Sequence, residues 1–396
     1  MDIDTLPSAD EVATIRPEAL QERIARGNRV PILDVRTEGE YDKWVIESGN
    51  VDIVNVPYYE FLMGVDDELL DRVPSGDEEL VVVCVKGGAS AYVVSLLEDE
   101  GIEAVNLDGG MNSWARLYDA VPISRYEGMG TLIQYQRPSS GCLAYMLISD
   151  GEAAVVDPLR AFTHRYLDDA QQLGVELVYA IDTHIHADHV SGVRSIATCG
   201  AEAVIPEPAV ARGVDYEIEY TTVADGDVLT VGDLSIAAIH TPGHTSGMTS
   251  FLVDESVLLT GDCLFLESVG SPDPEGGDSG TADAVRTLYE TLQRRILDLS
   301  DDVLVAPGHF TDAVDHSPDG TYTASLGELR DRMPALEMNR EAFVEFLLAD
   351  TPPRPSNFEE IITLNLGRAS ADDDQAFELE LGPNNCAASQ QALTSD

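Results

Sequence analysis

The stretch LVYAIDTHIHADHVSG, residues 177–192, is the one on which the reading of the fold turns. Its first five residues are apolar and β-prone, as in a buried strand, and helical spacing follows over 190–198. Between the two, His184, His186, Asp188 and His189 crowd a loop at the strand end. Imidazole nitrogens and carboxylate oxygens suit borderline and hard divalent metals such as zinc, iron or manganese. Four such groups within six residues are costly to hold together unless a cation compensates them.

The same arrangement recurs downstream. His244 stands in TPGHT after a strand expected at 234–239, Asp262 in TGD after 257–260, and His309 in APGH after 303–305. Side chains that follow strand ends can meet on one rim of a layered sheet structure, so these three join the first four as the candidate metal set. Five of the eight histidines fall in these motifs, which argues against unrelated surface histidines. His164, His240 and His316 read instead as helix, core-strand and loop residues.

Strand pairs surround the motifs. Residues 143–149 and 153–156 flank Asp150-Gly151, a two-residue hairpin signal, and 229–231 and 234–239 flank Gly232-Asp233. A third pair is expected at 251–253 and 257–260. With helical stretches at 163–173, 281–297 and 328–349, the pattern predicts an α/β sandwich of antiparallel pairs with helices outside. The earlier part of the chain differs. Short strands at 30–35, 53–56, 80–84 and 104–107 alternate with helical stretches such as 90–100, which predicts a parallel α/β sheet. Val121-Pro122 breaks the next helical stretch. The expected organisation is a domain at 1–122, a linker at 123–127, a second domain at 128–368 and a mobile acidic tail at 369–396.

Cys84 closes the strand at 80–84 and opens the loop Cys84-Val85-Lys86-Gly87-Gly88-Ala89-Ser90 ahead of a helix. Gly87 and Gly88 let the loop curl so that backbone N–H groups face the sulfur, and Lys86 adds positive charge. These residues are candidates for a thiolate or persulfide site with Cys84 as the reacting group; a buried structural cysteine is the other reading. The five cysteines (Cys84, Cys142, Cys199, Cys263 and Cys386) are odd in number, far apart and never in a C-x-x-C pair. That pattern points to a reduced compartment and away from disulfides or a cysteine-ligated zinc site.

Composition narrows the class further. The 396 residues carry 72 Asp plus Glu against 23 Lys plus Arg, a net charge of −49, and only Lys43 and Lys86 are lysines. Such a surface is heavily solvated, repels nucleic acid and anionic lipid, and suits a halophilic cytoplasm where salt screens self-repulsion. Full folding and activity in dilute buffer would count against that expectation. No run reaches the roughly 18 apolar residues of a membrane span. The first residues lack a basic-then-apolar leader, so the expected location is cytoplasmic.

The combination H-x-H-x-D-H, TPGHT, TGD and PGH resembles the metallo-β-lactamase superfamily over about residues 126–367. The resemblance implies an αβ/βα sandwich. It also implies two metal positions, one on His184, His186 and His244 and one on Asp188, His189 and His309, with Asp262 bridging. DTHIHADHVSG (182–192), TGDCLFLESVGSPD (260–273) and PPRPSNFEEIITLNLG (352–367) are similar to the persulfide dioxygenase branch. That similarity implies a single Fe(2+) on His184, His244 and Asp262, with coordination positions left for O2 and a thiol persulfide. His186, Asp188, His189 and His309 would then orient ligands and handle protons, Asp188 among the catalytic groups. Ser271 stands at a substrate-binding position where this branch carries an arginine for glutathione, which points to another small thiol carrier. Thr311 stands where a tyrosine is usual.

LDVRTEGEY (33–41), the Cys84 loop and LDGGMNSW (107–114) resemble a rhodanese domain over residues 10–122. The resemblance makes Cys84 the acceptor of sulfane sulfur and gives Asp34 and Arg36 structural roles. Val85 and Ala89 replace the usual loop arginines, which favours persulfide transfer over thiosulfate cleavage. The expected function is therefore conversion of thiol persulfide and O2 to sulfite and thiol, with a fused sulfurtransferase module. Because all seven ligand positions are present, a dinuclear zinc thioester hydrolase of glyoxalase II type is the alternative. A sulfur-sensing scaffold is a third reading, and a homo-oligomer stays open.

Overall fold

The first sheet is built from β1 (Thr14–Ile15), β2 (Val30–Asp34), β3 (Val51–Asn55), β4 (Leu80–Val83) and β5 (Ala104–Leu107). They pair in the order β1-β5-β4-β2-β3, every pair parallel, as the strand–helix alternation predicts. All residues of β2, β4 and β5 are buried because helices cover both faces. Val81 and Val83 pack with Val30, Ile32 and Trp114 on one face. Leu80, Val82 and Cys84 pack on the other with Val93, Val94 and Leu97 of the helix Gly88–Asp99. The computed structural model describes residues 12–76, 78–272, 280–311, 314–349 and 354–382. Asp273, residues 351–353 of the proline-rich stretch, Cys386 and the tail from 383 onward lie outside them.

The chain divides into two compact units: one runs to Leu117 and includes Arg137–Ser140, and the other holds the remainder. This moves the boundary expected at 122. Residues Asp119–Pro122 form β6, which pairs antiparallel with β7 (Thr131–Gln136) in the second unit. The segment 123–127 opens the connection between those strands, which runs to residue 130. Ile123 is in the core, and the Tyr126 hydroxyl donates to Asp254 Oδ2 at 2.6 Å. Val121-Pro122 does not break a helix as expected: the helix Gly110–Trp114 ends earlier, and the pair closes a strand.

Two sheets form the second unit. One runs β12-β11-β10-β9-β8-β7-β6 and contains β8 (Leu143–Ser149), β9 (Glu152–Val156), β10 (Glu176–Ile181), β11 (Glu202–Pro206) and β12 (Tyr220–Val223). The other runs β13-β14-β15-β16-β17-β18, with β13 (Val228–Val231), β14 (Leu234–His240), β15 (Thr249–Val253), β16 (Val257–Gly261), β17 (Leu304–Pro307) and β18 (Ala324–Ser325). All three predicted hairpins are antiparallel, and Asp150 and Gly151 turn the first with φ of 45° and 82°. The connections from β9 to β12 are not hairpins. These strands are parallel because helices, including Thr163–Leu173 and Val193–Ala197, carry the chain back between them.

Period-two alternation sorts side chains between layers. Leu143, Tyr145 and Leu147 enter the inter-sheet core with Ile236, Phe251 and Leu259, while Ala144 and Met146 face the outer helix layer with Tyr166. The helix expected at 328–349 is broken. It runs Leu326–Arg332, stops at Met333 before Pro334, and resumes at Arg340–Ala349. The acidic tail is also corrected within the described residues. Asp373–Leu379 is a helix with a capping box on Asp372, and its Ala376 packs on Val190, Ile361 and Leu364. Glu380 Oε1 accepts from the Val190 amide at 2.9 Å, so this segment anchors the loop that follows β10. Among the described residues no helix is long and apolar enough to cross a membrane.

Candidate metal centre

Topology brings the motif residues together. β14 and β16 are both antiparallel to β15, and β17 is parallel to β16, so residues after β14, β16 and β17 emerge on one edge. β9 and β10 are parallel and deliver Asp157 and the His184–His189 loop in the same way. All seven predicted residues are buried, and they divide into groups. His184, His244 and Asp262 form one; Asp188 and His189 join His309 and Cys142 in another; His186 lies with Asp157 and Asp182. The first grouping is the one expected for a mononuclear centre. His186 is not grouped with His184 and His244, as a two-metal arrangement would require.

Ring orientation decides which atoms face inward. His184 Nδ1 donates to Thr183 Oγ1 at 2.9 Å, and that hydroxyl donates to Asp157 Oδ2. His244 Nδ1 donates to the Ser271 carbonyl at 2.6 Å. Both rings therefore turn Nε2 toward Asp262 Oδ2, at 3.8 and 3.6 Å. Two ligand atoms sharing a cation at about 2.1 Å lie roughly 3.0–3.4 Å apart, so both imidazole nitrogens stand within a few tenths of an ångström of that separation from the carboxylate oxygen. His184 Nε2 and Asp262 Oδ2 are buried with no hydrogen-bond partner, as are His186 Nδ1 and His189 Nε2. Buried, unpartnered and convergent donors fit a cation, and two imidazoles with one carboxylate fit iron or zinc.

The electrostatics agree. Burial and the neighbouring His186 hold His184 well below the usual imidazole range, so it is neutral, as a ligand must be. Burial raises the Asp262 carboxyl, but His309, His244 and His184 outweigh it and keep the group ionised. Burial lowers His186, yet Asp157 and Asp182 lift it to about 9. His309 bridges the groups, with Nδ1 against Asp262 Oδ1 at 2.8 Å and Nε2 against Asp188 Oδ2 at 3.0 Å.

Several contributors lack the sequence features that flagged the motifs. Asp157, at φ 52°, accepts from the Thr183 amide and hydroxyl and from His186 Nε2. Asn365 Nδ2 donates to the carbonyls of His186 and His189, and its Oδ1 accepts from Ser191 N. Asn365 lies in the NLG stretch, which carries no periodic or ligand-type signal of its own. Thr311 donates to Glu267 Oε1 at 2.8 Å. Ser271, a predicted substrate contact, contributes the backbone carbonyl that holds His244. Gly308 is required by close approach, since a Cβ there would lie 2.5 Å from Asp262 Oδ1. Gly308→Ala is expected to weaken metal binding by about 10–100-fold with unchanged circular dichroism, measured by competition with a chelator.

In the first unit, the Cys84 sulfur accepts from the Gly87 amide at 3.1 Å and lies 3.1 Å from Ser90 Oγ. Gly87 has φ 89° and caps the helix Gly88–Asp99, so the helix N-terminus faces the sulfur. Gly110, at φ 61°, must be glycine because a Cβ would meet the Cys84 carbonyl at 2.3 Å. Lys86 and Gly88 are exposed and Cys84 is buried. Asp34 and Arg36 form a buried pair, Nη2 to Oδ2 at 2.6 Å, and Arg36 also donates to the Trp44 carbonyl.

Residues 16–117 match the rhodanese-like domain, and residues 138–336 match the metallo-beta-lactamase superfamily. The human protein described as persulfide dioxygenase ETHE1, mitochondrial, is 30% identical over 253 residues, covering 62% of this chain and 92% of that one. A cytoplasmic hydroxyacylglutathione hydrolase of Arabidopsis thaliana is 28% identical over 232 residues, covering 56% and 81%. A crystal structure of a metallo-beta-lactamase from Staphylococcus aureus matches with TM-score 0.54 at 25% identity, covering 61% and 74%.

Proposed function

The chain belongs to the metallo-β-lactamase superfamily, with a rhodanese-like domain ahead of the metal-binding fold, and from that membership we propose that it is an iron-dependent persulfide dioxygenase with a fused sulfurtransferase. The reaction joins a thiol persulfide, O2 and water to give free thiol and sulfite; one persulfide, one O2 and one water balance one thiol and one sulfurous acid. The observation that supports it most is the separate grouping of His184, His244 and Asp262, a two-imidazole, one-carboxylate face that leaves coordination positions open. When bound there, iron supplies the redox chemistry that couples O2 to the persulfide sulfur.

The chain's own residues do the rest. Thr183 and the Ser271 carbonyl fix the tautomers of His184 and His244, and His309 holds Asp262 by its Oδ1 so that Oδ2 faces inward. Asp188 in turn holds His309, which makes it a positioning group for the centre. Burial of all these side chains excludes bulk water from the ligand face. Ser271 offers no cationic group for a glutathione carboxylate, so the carrier is another small thiol. Cys84, under the Gly87 amide and the helix N-terminus, passes sulfane sulfur to or from that carrier.

Metal analysis of protein purified without oxygen, followed by oxygen uptake with several small persulfides, tests the proposal. One iron per chain with uptake and sulfite release is expected. Two zincs, no uptake and thioester cleavage would replace it with the hydrolase reading, which the similarity to the Arabidopsis hydrolase and the full set of seven residues favour. Cys84→Ser is expected to abolish sulfur transfer from a persulfide to an added acceptor such as cyanide, read as thiocyanate formed. Unchanged transfer would assign the first unit a binding role.

A further inference from the structure

A cleft in the second unit gathers positive charge that the rest of the chain lacks. It has a volume of about 560 Å³ and is formed by the turn after β9, the helix Val193–Ala197, the segment before β12 and the chain following the helix Phe358–Asn365. Lysine and arginine make up 23 of the 396 residues, yet three of the twelve residues lining this cleft are arginines: Arg160, Arg194 and Arg368. Glu217 is the one acidic side chain on its wall. In a chain of net charge −49, that inversion of sign calls for a cause.

The three guanidinium groups are held in place without being neutralised. Arg194 Nη2 donates to the Leu364 carbonyl at 2.6 Å, and the group lies over the Tyr216 ring at 5.2 Å. Arg368 donates through Nε and Nη2 to the carbonyls of Gly213 and Arg212, at 2.9 and 3.0 Å. Arg160 Nη2 donates to the Ala371 carbonyl at 2.8 Å and pairs with Asp373, whose side chain is 82% exposed, so water screens the pair. Carbonyls and a ring fix the direction of a guanidinium but leave its formal charge in place. Each group has five N–H donors, and these contacts leave some of them over. Ser195 and Ser370 add hydroxyls to the same wall.

We propose that this cleft binds a small, doubly charged oxyanion of sulfur or phosphorus through Arg160, Arg194 and Arg368. Planar guanidinium forks match the oxygens of such anions, and forks already held in position lose little freedom on binding. The volume lies within the roughly 300–1,000 Å³ of small-molecule sites, which leaves room for an organic group carried by the anion. None of the seven metal-site residues lines the cleft, so the anion is not a reactant there. It sits behind the metal loop all the same. Ser191 shares the wall and donates its amide to Asn365 Oδ1, and Asn365 Nδ2 holds the carbonyls of His186 and His189. Occupancy would therefore brace the loop that carries those histidines. The net charge does not forbid binding: in about 1 M salt the Debye length is about 3 Å, so distant carboxylates are screened while contact hydrogen bonds persist. The inference stands on the cleft alone and holds whichever reaction the metal centre performs.

Isothermal titration of the full chain with potassium phosphate, sulfate and sulfite, each against potassium chloride at equal ionic strength, tests the site. One anion per chain is expected, with no saturable signal from chloride. Tightest binding of sulfite or sulfate identifies a sulfur oxyanion as the ligand, and tightest binding of phosphate a phosphorylated one; either supports the site. Arg194→Gln and Arg368→Gln should each weaken binding at least about tenfold through loss of charge-assisted contacts. Glu217→Gln removes the opposing charge and no arginine donor, so it should tighten binding about three- to tenfold and decides the matter if the arginine variants do not fold. Amide hydrogen exchange over residues 189–193 should slow when the anion is bound; unchanged exchange there would remove the bracing. Affinity unaltered in the variants that fold places the anion elsewhere and overturns the site, as does a response to chloride equal to that of the oxyanions.

Discussion

Asp262→Ala is expected to strip the open centre of its metal, with affinity falling by more than about a hundredfold and oxygen uptake falling to background. Loss of a residue that merely orients a ligand costs about 10–100-fold, and Asp262 is placed to bind directly. It is the only carboxylate in its group and carries the charge that both His184 and His244 face at 3.6–3.8 Å. Removing it also leaves His309 with one carboxylate partner in place of two. His186→Asn makes the informative comparison. His186 lies with Asp157 and Asp182, so a mononuclear centre keeps most of its metal in that variant, with a loss nearer tenfold. Equal collapse in both variants, measured as iron per chain, would mean that His186 is a full ligand and would favour the two-metal hydrolase.

Asp34→Ala is expected to destabilise the first unit by about 3–5 kcal/mol, because it leaves the Arg36 guanidinium buried without its counter-charge. Asp34 is fully buried, receives Arg36 through Nε and Nη2, and also accepts from the Arg36 amide at 2.9 Å. For a unit of about 100 residues this corresponds to a fall in melting temperature of roughly 15 °C or more. The readout is specific, since both tryptophans of the chain, Trp44 and Trp114, lie in the first unit. Arg36 sits over the Trp44 ring at 5.5 Å, so tryptophan fluorescence follows that unit alone. A shift under about 3 °C would show that the pair adds little, as exposed pairs do.

The parts of the molecule legible in the sequence share one property: their signal is local. The turn at Asp150-Gly151 requires positive φ from two consecutive residues, and the strands beside it alternate, so the hairpin reads directly. The helix Thr163–Leu173 ends at Gly174, which is left-handed at φ 70°. Where the outcome depends on partners far along the chain, local reading falls short. Asp373–Leu379 looks like an acidic tail until Val190 and Ile361 supply an apolar surface for Ala376. Pro122 marks an interruption, but only pairing with Ile133 shows that it lies in a strand.

The sequence by itself determined the fold class, the order of the two units and the set of seven ligand-type residues, because strand-end motifs and turn chemistry are written in contiguous residues. How those seven side chains are oriented was decided by tertiary structure alone. His186 turns to Asp157, His244 is oriented by a carbonyl 27 residues away, and Cys142 comes to rest beside His309 across 167 positions of chain. Coordination depends on where lone pairs point, and that direction is set by hydrogen bonds from residues whose spacing along the chain carries no trace of it.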